Sequence, residues 1–114
     1  MTAADFRRLA LSLPDTVESS HFNVPDFRVG GKIFATLGYE KHGQGVLRLT
    51  PEQQAGMIED APEIFSAVPG GYGLKGATLV RLSNVTEDML AAVLRTAWSN
   101  RSSNRTTRVP RKRR

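Results

Sequence analysis

The sequence predicts an α+β fold in which an antiparallel sheet of about five strands carries helices on one face. Two observations predict it: apolar stripes at helical spacing near both ends of the chain, and a run of alternating segments joined by short glycine turns. The length of 114 residues suits one domain. We therefore expect the order helix, three or four strands, helix, one or two strands, helix.

Each predicted helix has a start signal. Thr2 and Asp5 form a capping-box pattern before the first apolar stripe, which Pro14 ends. The segment TPEQ over residues 50–53 places a cap, a proline and a glutamine in the order that begins a helix. Thr86 opens the last helix, whose first turn carries two carboxylates and whose buried stripe runs to Trp98.

The strands are predicted from alternation. Gly30-Gly31 supplies the positive φ angles of a tight hairpin. After this turn, one face is predicted to carry Ile33, Ala35, Leu37 and Tyr39, and the other Phe34 and Thr36. Leu47 and Leu49 are predicted to face the core, and on the later strand Leu79 is predicted to face opposite to Val80 and Leu82. A further strand is expected over residues 17–22, and residues 64–68 are either a short strand or an extended loop.

Charge divides the chain into two parts. Residues 1–100 carry nine Lys and Arg against eleven Asp and Glu, a net charge of −2, whereas residues 101–114 carry seven cations and no acid. The final segment has one large aliphatic residue, so it cannot bury enough apolar surface to offset the entropy of ordering. We expect a single domain over residues 1–100 and a disordered basic tail over residues 101–114. The tail is either an electrostatic arm for nucleic acid or a solvated segment.

Composition excludes several functions. Without cysteine there is no disulfide scaffold, thiolate zinc site or cysteine nucleophile. His21 and His42 are the only histidines, so no metal or other cofactor is expected. The motif G-x-G-x-x-G over residues 71–76 precedes a predicted strand instead of following one, which indicates a loop. The lack of an apolar leader or long apolar run predicts a cytoplasmic protein without membrane contact.

Basic side chains accompany the predicted hairpins. Arg28 and Lys32 flank the glycine turn, Lys41 lies in the next turn, and Arg48 lies on the strand after it. Such hairpins can act as wings that contact a phosphate backbone. The alternative is that these cations keep the sheet soluble and protect its edges, which the acidic body favours. Phe34 and Tyr39 offer faces for bases, although aromatic strand residues are more commonly part of the core.

Several segments together resemble the MmcQ/YjbR family of small bacterial proteins. The most specific are FRRLALSLP over residues 6–14 and FRVGGKIFA over residues 27–35, supported by VESSHF, TPEQ and GATLVRL. The resemblance covers about residues 4–100 and implies an α+β fold similar to secretion-chaperone-like and frataxin-like folds. It also implies DNA binding through a double wing, and it supplies no catalytic residues. Ala77 departs from it, because the family typically has Trp after this glycine.

DNA binding is therefore the first expectation, with backbone contacts from the hairpins and the tail. The expected contact residues share a positive charge: Arg28, Lys32, Lys41, Arg48, Arg105, Arg108, Arg111, Lys112, Arg113 and Arg114. The alternative is a protein-interaction or chaperone-like adaptor without catalytic activity, and the sequence leaves monomer or homodimer open. An enzyme is the third expectation, because no acid, base and nucleophile converge. A deep pocket that gathers His21, Tyr39 and Arg48 would reopen that option.

Overall fold

The computed structural model of the protein describes the backbone of residues 1–106 and the side chains of residues 1–102. Within these residues there are four α-helices, one 3-10 helix and six strands. Their bounds are α1 Ala3–Leu11, β1 Thr16–His21, β2 Val24–Val29, β3 Lys32–Thr36, β4 Gln44–Arg48, α2 Pro51–Asp60, β5 Phe65–Ala67, α3 Gly71–Leu74, β6 Ala77–Arg81 and α4 Glu87–Thr106. A 3-10 helix over Glu40–His42 lies between β3 and β4.

The six strands form one antiparallel sheet in the order β1-β2-β3-β4-β6-β5. The first four strands run as a meander, and the chain returns after α2 to add β5 at the edge and β6 beside β4. The predicted α+β fold is confirmed, with six strands in place of about five. The additional strand is β5, the segment that alternation alone could not distinguish from an extended loop.

Helices α1, α2 and α4 cover one face of the sheet, and the main core lies between these layers. The largest fully buried core side chains come from both layers: Phe6, Phe27, Phe34, Leu47, Leu90, Leu94, Val29 and Val80. Both predicted capping boxes form, Thr2 with Asp5 and Thr50 with Gln53. The indole Nε1 of Trp98 donates to the Pro14 carbonyl at 2.9 Å, which ties α4 to the end of the first helix.

Strand β3 departs from the predicted alternation. Phe27 pairs with Ala35 while Arg28 pairs with Ile33, so Phe34 is the extra residue of a β-bulge. As a result, Phe34 and Ala35 both enter the helix-side core, and Ile33 lines the opposite face. The predicted faces of Ile33 and Phe34 are therefore wrong, because a bulge breaks the period of two. The predicted face of Tyr39 is wrong because β3 ends at Thr36, before this residue. The predicted core positions Leu47 and Leu49 are confirmed, and Leu79 packs apart from Val80 and Leu82, as predicted.

Two further segments differ from the sequence prediction. Residues Gly71–Leu74 form the short helix α3 in place of a loop. Helix α4 continues to Thr106, six residues past the predicted end of the domain at residue 100. The expected contacts Arg108, Arg111, Lys112, Arg113 and Arg114, and the side chain of Arg105, lie outside the described residues.

Across residues 1–106, no helix has the length and apolar character needed to cross a bilayer.

Candidate functional site

The sheet face opposite the covering helices holds an open cavity of about 500 Å3, called here the apolar cavity. Its floor consists of residues that alternate with the core positions along β2, β3, β4 and β6. The floor residues are Val24, Ile33, Thr36, Val46 and Ala77. Its walls carry larger and more polar side chains, which are His21, Tyr39, Arg48 and Tyr72. The structure therefore places several potential ligand contacts around one apolar depression.

Ala77 contributes to the room in this cavity. It is the residue that stands where the family resemblance leads one to expect Trp. Since Ala77 is almost completely buried on the cavity floor, an indole at this position would project into the same space. The residue that departs from the family pattern is therefore one that lines the cavity and leaves space in it.

One wall of the cavity is fixed by a buried carboxylate. The side chain of Asp26 is fully buried and accepts hydrogen bonds from Arg28 Nε at 2.8 Å and Arg28 Nη2 at 3.0 Å. Its Oδ2 lies 2.8 Å from His21 Nδ1. The hydrogen bond from Arg28 lowers the pKa of Asp26, burial opposes this shift, and the contact with His21 reinforces it. An ionised Asp26 thus orients the His21 ring beside the cavity.

A second cavity of about 350 Å3, called here the cationic cavity, adjoins the first at Arg48, which lines both. Lys75 and Arg101 are its other charged residues. Among the described residues, none of these three cations forms an ion pair, and Arg101 Nε is buried without a hydrogen-bond partner. Burial, and after it the charge of Arg48, lowers the pKa of Arg101. The arrangement is one that an anion would stabilise.

Local packing brings these three cations together from separate segments. Asn100 Nδ2 donates to the Arg48 carbonyl at 3.3 Å and to Gln53 Oε1 at 2.8 Å, which joins α4 to β4 and α2. Gly76 has a φ of 110°, and a Cβ there would overlap the carbonyl of Leu49. Glycine is therefore needed after Lys75 for the loop to approach the end of β4.

The four residues of the folded body that were expected to contact DNA, Arg28, Lys32, Lys41 and Arg48, lie in different environments. Arg28 is engaged by Asp26, and its Nη2 also lies 3.4 Å from the Ser20 carbonyl oxygen. Lys32 lies at the β2–β3 hairpin and Lys41 in the 3-10 helix, and neither lines the two cavities. Arg48 is the member of the expected set that meets other cations. The hairpin itself forms as predicted, with φ angles of 60° and 80° at Gly30 and Gly31.

Sequence reasoning missed Lys75 and Arg101 as site residues. Lys75 lies within a glycine-rich motif that precedes a strand, so the motif itself gave no reason to assign it a ligand. Arg101 follows Leu94 by seven residues and Ala97 by four, so it continues the buried stripe of the last helix. That spacing is the sequence signal for Arg101, and the polar composition after residue 100 masks it.

The apolar cavity gathers His21, Tyr39 and Arg48, the set that would reopen an enzymatic interpretation. In the part of the chain that the structure describes, His21 hydrogen-bonds through its side chain to Asp26, and no hydroxyl group contacts the ring. The same residues contain no cluster of three or more His, Cys, Asp or Glu side chains able to hold a metal ion. The arrangement can bind and orient a ligand, and it provides no nucleophile hydrogen-bonded to a base.

Comparisons with known proteins agree with this architecture. A crystal structure of the Deinococcus radiodurans protein DR2400, which contains a DUF419 domain, is similar with a TM-score of 0.72 and 18% sequence identity. The match covers 96% of this chain and 89% of that chain. No curated protein matches the sequence significantly. At this identity the similarity establishes the fold.

The family is established by sequence. The model of the YjbR family matches residues 11–100, which is most of the chain and includes the sheet, α2 and the greater part of α4. The segments that carried the resemblance in the sequence lie largely within this range. The chain belongs to the YjbR family.

Proposed function

We propose that this protein binds the phosphate backbone of nucleic acid at the cationic cavity and that its C-terminal basic residues add further contacts. The observation that carries the proposal is the convergence of Arg48, Lys75 and Arg101 around one cavity without a carboxylate partner among the described residues. Guanidinium groups bind phosphate oxygens in bidentate fashion, and the lysine ammonium adds a further cation. Binding of this kind positions a strand and reads no sequence.

The net charge of −2 on residues 1–100 does not oppose this proposal. No Asp or Glu among the described residues lines either cavity. On the strands, the carboxylates are Glu18 and Asp26, and each forms an ion pair with an arginine, Arg7 and Arg28 respectively. Because exposed charges are screened beyond about 8 Å at physiological salt, the charges that line the cavity decide its local potential.

The proposal is tested by removing two of the three cations. The double variant Lys75→Gln/Arg101→Gln should bind labelled duplex DNA more weakly than the wild type. The slope of log K against log salt concentration should fall in magnitude by about 1.8, since each neutralised phosphate contributes about 0.9. Fluorescence anisotropy across a salt series measures both quantities. Circular dichroism of both proteins shows whether the fold is kept.

A charge-matched control separates the cavity from general electrostatics. Arg81 on β6 and Arg95 on α4 are exposed and line neither cavity. The double variant Arg81→Gln/Arg95→Gln removes the same net charge and should leave the salt slope nearly unchanged. Equal losses in the two double variants would show that total charge controls binding and that the cavity has no special part.

A second candidate is the protein-interaction adaptor, which one observation favours. Phe22 lies at the tip of the β1–β2 hairpin, and its side chain is 95% exposed. An exposed aromatic ring on a turn is a suitable anchor for a protein surface. If the anchor serves self-association, sedimentation velocity should show a concentration-dependent dimer that Phe22→Asn abolishes. A monomer at all concentrations would remove self-association as that function.

A further inference from the structure

The apolar cavity and the cationic cavity adjoin at one residue, Arg48, which lines both. We propose that the two cavities together hold a single unstacked nucleotide of a nucleic-acid strand. The base occupies the apolar cavity and its phosphate occupies the cationic cavity. This inference rests on the proposed function, since it names what the phosphate-binding site accepts.

The apolar cavity has the size and lining of a base-binding site. Its volume of about 500 Å3 is within the range of small-molecule sites, and its floor is aliphatic except for Thr36. Tyr72 projects from α3 at its wall with 66% of the residue exposed, so much of the ring is accessible although Arg48 lies over one of its faces. Tyr39 contributes a second ring to the lining. Aromatic side chains with accessible faces are what unstacked bases stack on.

Polar groups are available for the edge of the base. His21 Nδ1 is engaged by Asp26, so Nε2 is the ring nitrogen that remains to contact the edge of a base. The Thr36 hydroxyl on the cavity floor can donate or accept. His21 on β1 and Arg48 on β4 are separated by two intervening strands, so the base edge and the phosphate are recognised at opposite sides of the site.

In this proposal the phosphate of the nucleotide occupies the cationic cavity, which adjoins the apolar cavity at Arg48. The guanidinium carbon of Arg48 lies over one face of the Tyr72 ring, 5.9 Å from its centroid, so a base would stack on the ring's other face or its exposed edge, next to this cation. Arg101 lines the same cavity and forms no ion pair among the described residues, and a phosphate would supply its counter-charge. A phosphate between Arg48 and Arg101 would also neutralise two like charges that share one cavity.

The geometry favours an unpaired strand over a duplex. In a stacked duplex only base edges are accessible in the grooves, and the base faces are covered. A cavity that accepts a whole base therefore requires that base to leave its stack, which is least costly in a single strand. We expect single-stranded DNA to use both cavities and a duplex to use the cationic cavity alone.

The test compares two labelled oligonucleotides with the full-length protein. One is a short single strand of thymidines, and the other has the same length and phosphates but abasic sites in place of the bases. The thymidine strand should bind at least about fivefold more tightly, the lower end of what stacking of one base on an aromatic side chain contributes. A free nucleoside monophosphate, added as competitor, should displace the strand only weakly.

Paired variants on α3 assign the difference to the cavity. Tyr72→Ala should abolish most of the preference for thymidines over abasic sites and leave binding of the abasic strand unchanged. Leu74→Ala is the matched control, because Leu74 is also exposed on α3, at 84%, and lines neither cavity. This control should keep the full preference.

Each outcome bears on one proposal. Equal binding of the two strands would overturn the nucleotide inference while phosphate binding stands. An equal effect of Tyr72→Ala and Leu74→Ala would also overturn it, because the preference would then arise elsewhere. Strong competition by the free monophosphate would replace the strand with a free nucleotide as the ligand. If neither strand nor duplex binds, the proposed function fails together with the inference.

Discussion

Asp26 shows how one buried residue organises the candidate site. Its side chain is fully buried, and it bonds to both Arg28 and His21. A buried carboxylate is tolerated only when it is paired and hydrogen-bonded. Arg28, which the sequence identified as a phosphate contact, therefore has a structural partner within the sheet. The same carboxylate orients His21 beside the apolar cavity, so one residue supports both stability and the site.

Replacing this carboxylate should destabilise the protein in a pH-dependent manner. At neutral pH, Asp26→Asn should lower the free energy of unfolding by about 1.5–3 kcal/mol, the usual contribution of hydrogen bonds to a charged group. Because the native pKa of Asp26 is lowered, its contribution is complete above about pH 4 and is lost as the pH falls through the native value. The difference between wild type and variant should therefore narrow only in strong acid. Urea unfolding at neutral and acid pH measures it.

Asp60→Asn provides the comparison for this measurement. Asp60 is exposed at the end of α2 and forms no ion pair among the described residues. Its substitution should change the free energy of unfolding by less than about 0.5 kcal/mol. A loss at Asp26 no larger than the loss at Asp60 would contradict the structural role of the buried carboxylate.

At the scale of the element, the β1–β2 hairpin contains an unfavourable turn residue. Phe22 and Asn23 have φ angles of 51° and 66°, which are the values of a two-residue hairpin turn with both central residues left-handed. Asn and Gly suit such positions, whereas a bulky aromatic residue is strained there. Since Phe22 is also almost fully exposed, packing does not compensate for the strain. This observation supports a role for its side chain outside the fold.

Relieving this strain should stabilise the hairpin. Phe22→Asn should raise the free energy of unfolding by about 1 kcal/mol, the order of the cost of a left-handed residue that is not glycine. Phe22→Leu removes the ring but leaves a bulky residue at a positive φ, so it should raise the free energy of unfolding little. Urea denaturation of the three proteins compares these values. A loss of stability in Phe22→Asn would mean that the ring packs in solution.

The bulge in β3 and the length of α4 are two features that local sequence patterns do not predict. Alternation predicts both faces of a strand only while the period of two is unbroken, and Phe34 interrupts it. A polar composition after residue 100 predicts a tail, yet α4 continues to Thr106 and brings Arg101 to the cationic cavity. In β3 the register with β2 overrides a local signal, and in α4 the helix extends into a segment whose composition predicts a tail.

At the scale of the whole molecule, charge is divided between the cavity and the C-terminal residues. The full-length variant Arg111→Gln/Lys112→Gln/Arg113→Gln/Arg114→Gln should reduce the salt slope for duplex DNA by up to about 3.6, since each neutralised phosphate contributes about 0.9. The preference for a thymidine strand over an abasic strand should persist, because the cavities are intact. Anisotropy with the same oligonucleotides measures both. An unchanged slope would identify these residues as a solvated segment.

Local patterns in the sequence were sufficient to establish the fold class, the starts of three helices, the core positions Leu47 and Leu49 and the partition of charge along the chain. These features depend on apolar spacing, caps and turns, which few distant contacts can change. The assembled structure was needed to show that Arg48, Lys75 and Arg101 line one cavity. It was also needed to show that Arg28 forms an ion pair with Asp26 and that the sheet face opposite the helices holds a cavity. Such neighbours depend on strand order, register and one bulge, because side chains far apart in sequence become adjacent only after the sheet is formed.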